Sequence, residues 1–92
     1  MVYEWDEAKR EASLKKHGLD FVDAHLVYEN PRKITLVATS RSENRRMDIA
    51  LVELHGVVLV LVYTLRGANV RCISFRAASQ KERKLYEAIK EQ

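Results

Sequence analysis

The chain has 92 residues, a formal net charge of +3 and one cysteine. That length allows one small domain over residues 1–92 and excludes a second, and its longest apolar run, Val57 to Tyr63, is far below the roughly 20 residues a membrane-spanning helix needs. The lone Cys72 excludes an internal disulfide and the first residues lack the apolar run of a secretory leader, so a soluble chain in a reducing, cytosolic setting is expected.

Val2 to Trp5 can add a short edge strand. Asp6 then suits the N-cap of a helix running to about His17: acidic Glu7 lies at its positive end, and Lys15, Lys16 and His17 lie in its last turn. Gly18 supplies the left-handed residue that stops it. Its apolar positions are few (Ala8, Ala12, Leu14), which places it across the surface of the domain. Asp20 can cap a second helix, Phe21 to Tyr28, with Phe21, Ala24, Val27 and Tyr28 on one face. Asn30-Pro31 ends it, because the residue before proline is pushed out of the helical region.

From Lys33 the period changes to two. Ile34, Leu36 and Ala38 alternate with Lys33, Thr35, Val37 and Thr39 in a half-buried strand. Ser40 to Asn44 reads as a polar loop, and Met47, Ile49 and Leu51 alternate with Arg46, Asp48 and Ala50 in the next strand. His55-Gly56 turns the chain into Val57 to Tyr63, whose unbroken apolar character marks a central strand covered on both faces. Arg66 to Asn69 forms the next turn and Val70 to Arg76 the last strand. Ser79 and Glu82 have the capping-box spacing, so a final helix begins there and runs to about Lys90, with Leu85, Ala88 and Ile89 as its buried stripe. The expected fold class is α+β: two N-terminal helices, a four-stranded antiparallel meander with the N-terminal segment as a further edge strand, and one C-terminal helix.

Charge is distributed unevenly. Residues 1–30 hold four basic and seven acidic side chains, residues 31–56 five and three, and residues 57–92 seven and three. A basic C-terminal half points to a polyanion surface on one side of the molecule. No spacing of His, Cys, Asp and Glu suggests a metal site, and no cofactor is implied.

Several stretches occur in a fixed order. They are Glu4-Trp5-Asp6-Glu7-Ala8-Lys9, Leu14-Lys15-Lys16-His17-Gly18, Phe21 with Ala24, and Asn30-Pro31, followed by Val62-Tyr63-Thr64, Arg66-Gly67, Arg71 with Ile73-Ser74 and Arg76, and Glu82-Arg83 with Tyr86. In that order the chain resembles the BrnT family, the toxin components of bacterial type II toxin–antitoxin pairs, over almost its whole length. The resemblance implies a RelE-like fold and a metal-independent ribonuclease that inhibits translation by cleaving RNA, free or on the ribosome. It also implies a BrnA-type antitoxin as partner, through which alone operator DNA is reached. The alternative is a non-catalytic module of the same fold that binds nucleic acid or protein in transcriptional autoregulation. The family usually has alanine where Phe75 stands, so a ring at that position is expected to fill part of the groove between the arginines.

Metal-free RNA cleavage needs a 2′-hydroxyl deprotonated, charge on the phosphoryl oxygens stabilised, and a 5′-oxygen protonated. Arginine holds phosphate with a planar fork and can stabilise that charge where no metal does. Arg66, Arg71 and Arg76 are the candidates. Strand parity separates two of them: regular alternation puts Arg71 with Ile73 and Phe75, and Arg76 with Cys72 and Ser74, so one groove can hold both only if the strand bulges or its end contributes. His17 is the candidate for proton transfer, since imidazole can both give and take a proton near neutrality; as a helix C-terminal residue it also suits a plain capping role. His25 and His55 read as helix-surface and turn residues. Lys9 and Lys16, on one side of the first helix, together with Arg46 and Tyr86, are candidates for contacts with RNA or with a partner.

Overall fold

A computed structural model describes residues 2–39, 44–52 and 56–90 of the chain. Along it run β1 (Val2–Glu4), α1 (Glu7–His17), a 3₁₀ turn (Phe21–Asp23), α2 (His25–Tyr28), β2 (Ile34–Thr39), β3 (Asn44–Val52), β4 (Val57–Arg66), β5 (Asn69–Ala77) and α3 (Gln80–Lys90). The architecture is α+β: three helices and a five-stranded mixed sheet in the order β1-β5-β4-β3-β2.

Two details differ from the sequence expectation. The N-terminal segment is an edge strand as expected, but it pairs parallel with β5, Val2 opposite Asn69 and Glu4 opposite Arg71, which makes the sheet mixed, while β2 to β5 form the expected antiparallel meander. No hairpin joins β1 to β5, so nothing in the connection forces the antiparallel sense. The second helix is broken into a 3₁₀ turn and a single α-turn at Ala24. Asp20 accepts from the Val22 amide at 3.1 Å, and the amides of Asp23 and Ala24 reach back three residues at 2.9 and 3.0 Å. A 3.0-residue turn puts positions three apart on one line, which lets Phe21, Ala24 and Val27 all bury almost completely.

Both faces of β4 are covered. On one, Leu59, Leu61 and Tyr63 join Ala50, Val70, Cys72 and Phe75 under the N-terminal helical segment. On the other, Val60 packs with Ile49 and with Tyr86 of α3. α1 has the expected ends: Asp6 accepts from the Ala8 amide at 2.8 Å, and Gly18 closes the helix at φ 70°. Only Ser13 of that helix is buried. α3 begins with the predicted box, the Ser79 amide donating to Glu82 at 2.8 Å and the Glu82 amide to Ser79 Oγ at 3.2 Å. The predicted Ser40–Asn44 loop (all but Asn44) and the turn residue His55 lie outside the described residues.

Candidate functional site

The site begins with an irregularity in β5. Its register against β4 runs Leu61 to Phe75 and Val62 to Ser74, then Tyr63 to Cys72 and Thr64 to Arg71, so Ile73 is an extra residue on one strand. Such a β-bulge resets the alternation of side chains beyond it. Residues directly opposite across a ladder share a face. Arg76 therefore shares the face of Val60 and Arg71 that of Thr64, and these two β4 positions are on the same side of the sheet. Arg66, the last residue of β4, has that parity too. The conflict in parity is thus resolved by the bulge, and Arg66, Arg71 and Arg76 belong to one face, the one that carries α3.

The same bulge moves Phe75 the other way. Its side chain is wholly buried in the core beneath the N-terminal helical segment. The ring does not fill a groove between the arginines, contrary to the expectation from sequence: it lies across the sheet from them.

The arginines differ in their surroundings. Arg76 makes a two-pronged pair with Glu82 of α3, Nη1 to Oε1 at 2.7 Å and Nη2 to Oε2 at 2.9 Å. With the guanidinium and the Ser79 amide both donating to it, the Glu82 carboxyl is held down at about 2 despite its partial burial. That fork uses the two terminal nitrogens and leaves the Nε edge of Arg76 for a second planar acceptor. Arg71 Nη1 stands 3.9 Å from Glu4 Oε1, and Asn69 Nδ2 donates to the other Glu4 oxygen at 3.2 Å. Arg66 is exposed at the strand end.

Beside β5, where β1 stops, α1 takes over the strand edge. Ser13 Oγ donates to the Phe75 carbonyl at 3.2 Å, satisfying a buried edge group that no strand reaches. This contact brings Lys9, Lys16 and His17 around a shallow cleft of about 260 Å³, closed on the sheet side by Ile73 and Ser74. Ser74 is opposite Val62 and so has the parity of the arginine face as well. It joins the two halves of the site, and sequence reasoning passed it over; the signal was there, because Arg71, Ser74 and Arg76 alternate regularly with Val70, Cys72 and Phe75 once Ile73 is skipped.

The remaining candidates are elsewhere. Arg46 is opposite Tyr63, on the other face of the sheet, and exposed. Tyr86 is 7% exposed against Ile49 and Val60, with Lys90 Nζ 5.7 Å from its ring centre. His25 Nδ1 is 3.0 Å from the Val22 carbonyl, and His55 is outside the described residues.

A buried polar group also went unseen in the sequence. Asp48, on the polar side of an apparently half-exposed strand, is wholly buried and accepts from Lys33 Nζ at 2.6 Å, Thr35 Oγ1 at 2.7 Å and the Tyr63 hydroxyl at 3.0 Å. Three donors compensate its lost hydration and tie β2 to β4 across β3. Burial and the Asp48 charge together push the Tyr63 phenol well above its ordinary range. Burial raises the Cys72 thiol to about 11, so this cysteine is no ready nucleophile.

The arrangement suits phosphate held by arginine forks on one face, with a cationic rim from α1 alongside. Comparison with curated proteins finds no significant match. Residues 5–82 match the family model described as ribonuclease toxin, BrnT, of type II toxin–antitoxin system; this range takes in α1, the whole sheet beyond β1, and Glu82 on Arg76, and the chain belongs to that family.

Proposed function

We propose that the chain is a RelE-like endoribonuclease that cleaves RNA without a metal ion, inhibits translation in the cytoplasm, and is neutralised by an antitoxin of the BrnA type. Family membership supplies the ribonuclease toxin, its RNA substrate and the existence of an antitoxin. The observation that carries the mechanism is the common face of Arg66, Arg71 and Arg76 produced by the bulge at Ile73.

On that face the scissile phosphate lies between guanidinium forks. The 2′-hydroxyl gives up its proton as the O2′–P bond forms, the arginines take the charge gathering on the phosphoryl oxygens, and the P–O5′ bond breaks as the 5′-oxygen gains a proton. The products are a 2′,3′-cyclic phosphate and a 5′-hydroxyl. His17, at the rim beside Ser74, is placed to move one of these protons, and Lys9 and Lys16 follow the flanking backbone. Tyr86, being buried, contributes through the packing of α3.

The closed Arg76–Glu82 pair gives the alternative some support, since an arginine tied to a carboxylate can be purely structural. One assay separates the readings. Purified protein with RNA and excess chelator is expected to yield fragments ending in cyclic phosphate; RNA left intact by a folded protein favours the binding module.

A further inference from the structure

A second cavity among the described residues plays no part in that chemistry. It is an open groove of about 930 Å³ between the Asn30–Arg32 turn and α3. Its origin is a mismatch in strand length. β2 begins at Ile34 opposite Ile49, so among the described residues β3 runs on through Ala50 to Val52 with no strand paired on that side. Asn30 partly compensates, its Nδ2 donating to the Leu51 carbonyl at 3.2 Å.

Leu26, Pro31, Leu51, Val52 and Tyr86 make an apolar lining. Leu51 is 43% exposed and, with the parity of Ile49, belongs to the α3 side. On α3 the stripe that should be buried stays half open, Leu85 at 40% and Ile89 at 39%. Apolar surface left this exposed on the helix that walls a groove through Tyr86 and Lys90 marks an interaction site. Arg32 and Lys90 are at its rim, and on α3 the exposed Lys81, Arg83, Lys84 and Lys90 outnumber the exposed Glu87, which leaves its outer side net basic. Its acid, Glu29, already accepts from the Tyr3 hydroxyl at 2.5 Å, and Glu82 is held by Arg76.

We infer that this groove is the docking site of the antitoxin, through an amphipathic segment whose apolar side chains enter between Leu51 and α3 and whose acidic side chains meet Arg32 and Lys90. Charge decides the occupant. A second copy of this chain would set one basic α3 against another, whereas an acidic segment is complementary. The inference rests on the family reading, which supplies an antitoxin but not the surface it uses.

The test uses the full chain with the antitoxin encoded beside it. Leu51→Glu and Ile89→Glu alter exposed side chains, so circular dichroism and RNA cleavage should match the unsubstituted protein, while antitoxin affinity falls roughly 30-fold or more, as for central interface residues. Lys90→Glu with Arg32→Glu should weaken binding at low salt and much less at high salt. A photo-crosslinker at Leu51 should capture the antitoxin. Unchanged affinity in both glutamate variants, or a crosslink to a second copy of the chain, overturns the proposal. Failure of the unsubstituted protein to cleave RNA or to bind the antitoxin at all would instead remove the toxin reading, and this inference with it.

Discussion

Glu82 has two tasks that meet at one oxygen: Oε1 accepts from both the Ser79 amide and Arg76 Nη1, while Oε2 accepts from Arg76 Nη2 alone. Its carboxylate completes the N-terminal box of α3 and holds the terminal nitrogens of Arg76. Its folded-state value is depressed, so the stabilisation is present above the ordinary 4.5 and is lost as pH falls from there towards about 2. The full shift corresponds to an upper bound of roughly 3 kcal/mol, of which solvent screening leaves about 1–2 kcal/mol. Glu82→Gln should therefore cost about 1–2 kcal/mol in urea unfolding at pH 6 and distinctly less at pH 3. The same cost at both pH values would show that the charge of Glu82 is not what holds Arg76. Other single residues mislead when read from sequence for a related reason: Asp48 and Phe75 each take their environment from pairing partners far along the chain. Alternation in β3 gave Asp48 a polar side, and only the helices over that side, with donors from β2 and β4, make it a buried one.

Among the elements, β5 shows how far a pattern can be read. Period-two alternation located the strand and identified its arginines as competitors for one groove. The register shift that reconciles them depends on β4, which sequence periodicity does not see. One residue of slack has a testable consequence. Deleting Ile73 leaves Val70, Cys72 and Phe75 on the core face and Arg71, Ser74 and Arg76 on the other, so the protein should fold with a loss of no more than ~2 kcal/mol. Deleting Ile73 together with Ser74 reverses Phe75 and should cost at least the ~3–5 kcal/mol of an emptied phenylalanine site. Thermal unfolding of the two variants decides it; equal damage from both would mean that Ile73 is no bulge residue. The helices were legible through their caps, Asp6, Gly18, Asp20 and the Ser79–Glu82 box, all local signals. The break at Ala24 and the parallel pairing of β1 were not, because three-residue spacing fits either kind of helix over so short a run and no local signal sets the sense of a strand paired across the length of the chain.

Over the whole molecule, the sheet separates two layers by face. The N-terminal helical segment and the larger core occupy one side; α3 and the arginine parity occupy the other, with α1 curling past the edge of β5 to bring Lys9, Lys16 and His17 to its rim. The basic bias of residues 57–92 was visible in the sequence, and its concentration on one face required the bulge. Among the described residues no helix is long and apolar enough to cross a membrane. The site calls for a comparison across the sheet: single-turnover cleavage of RNA in excess chelator by Arg66→Ala, Arg71→Ala and Arg46→Ala. Loss of one charge-stabilising donor should slow the Arg66 and Arg71 variants by ~10²–10³, while Arg46→Ala, on the opposite face, cleaves within a few-fold of the unsubstituted rate. Equal losses at Arg46 and Arg71, or cleavage that begins only when a divalent metal is added, would contradict a metal-free arginine face.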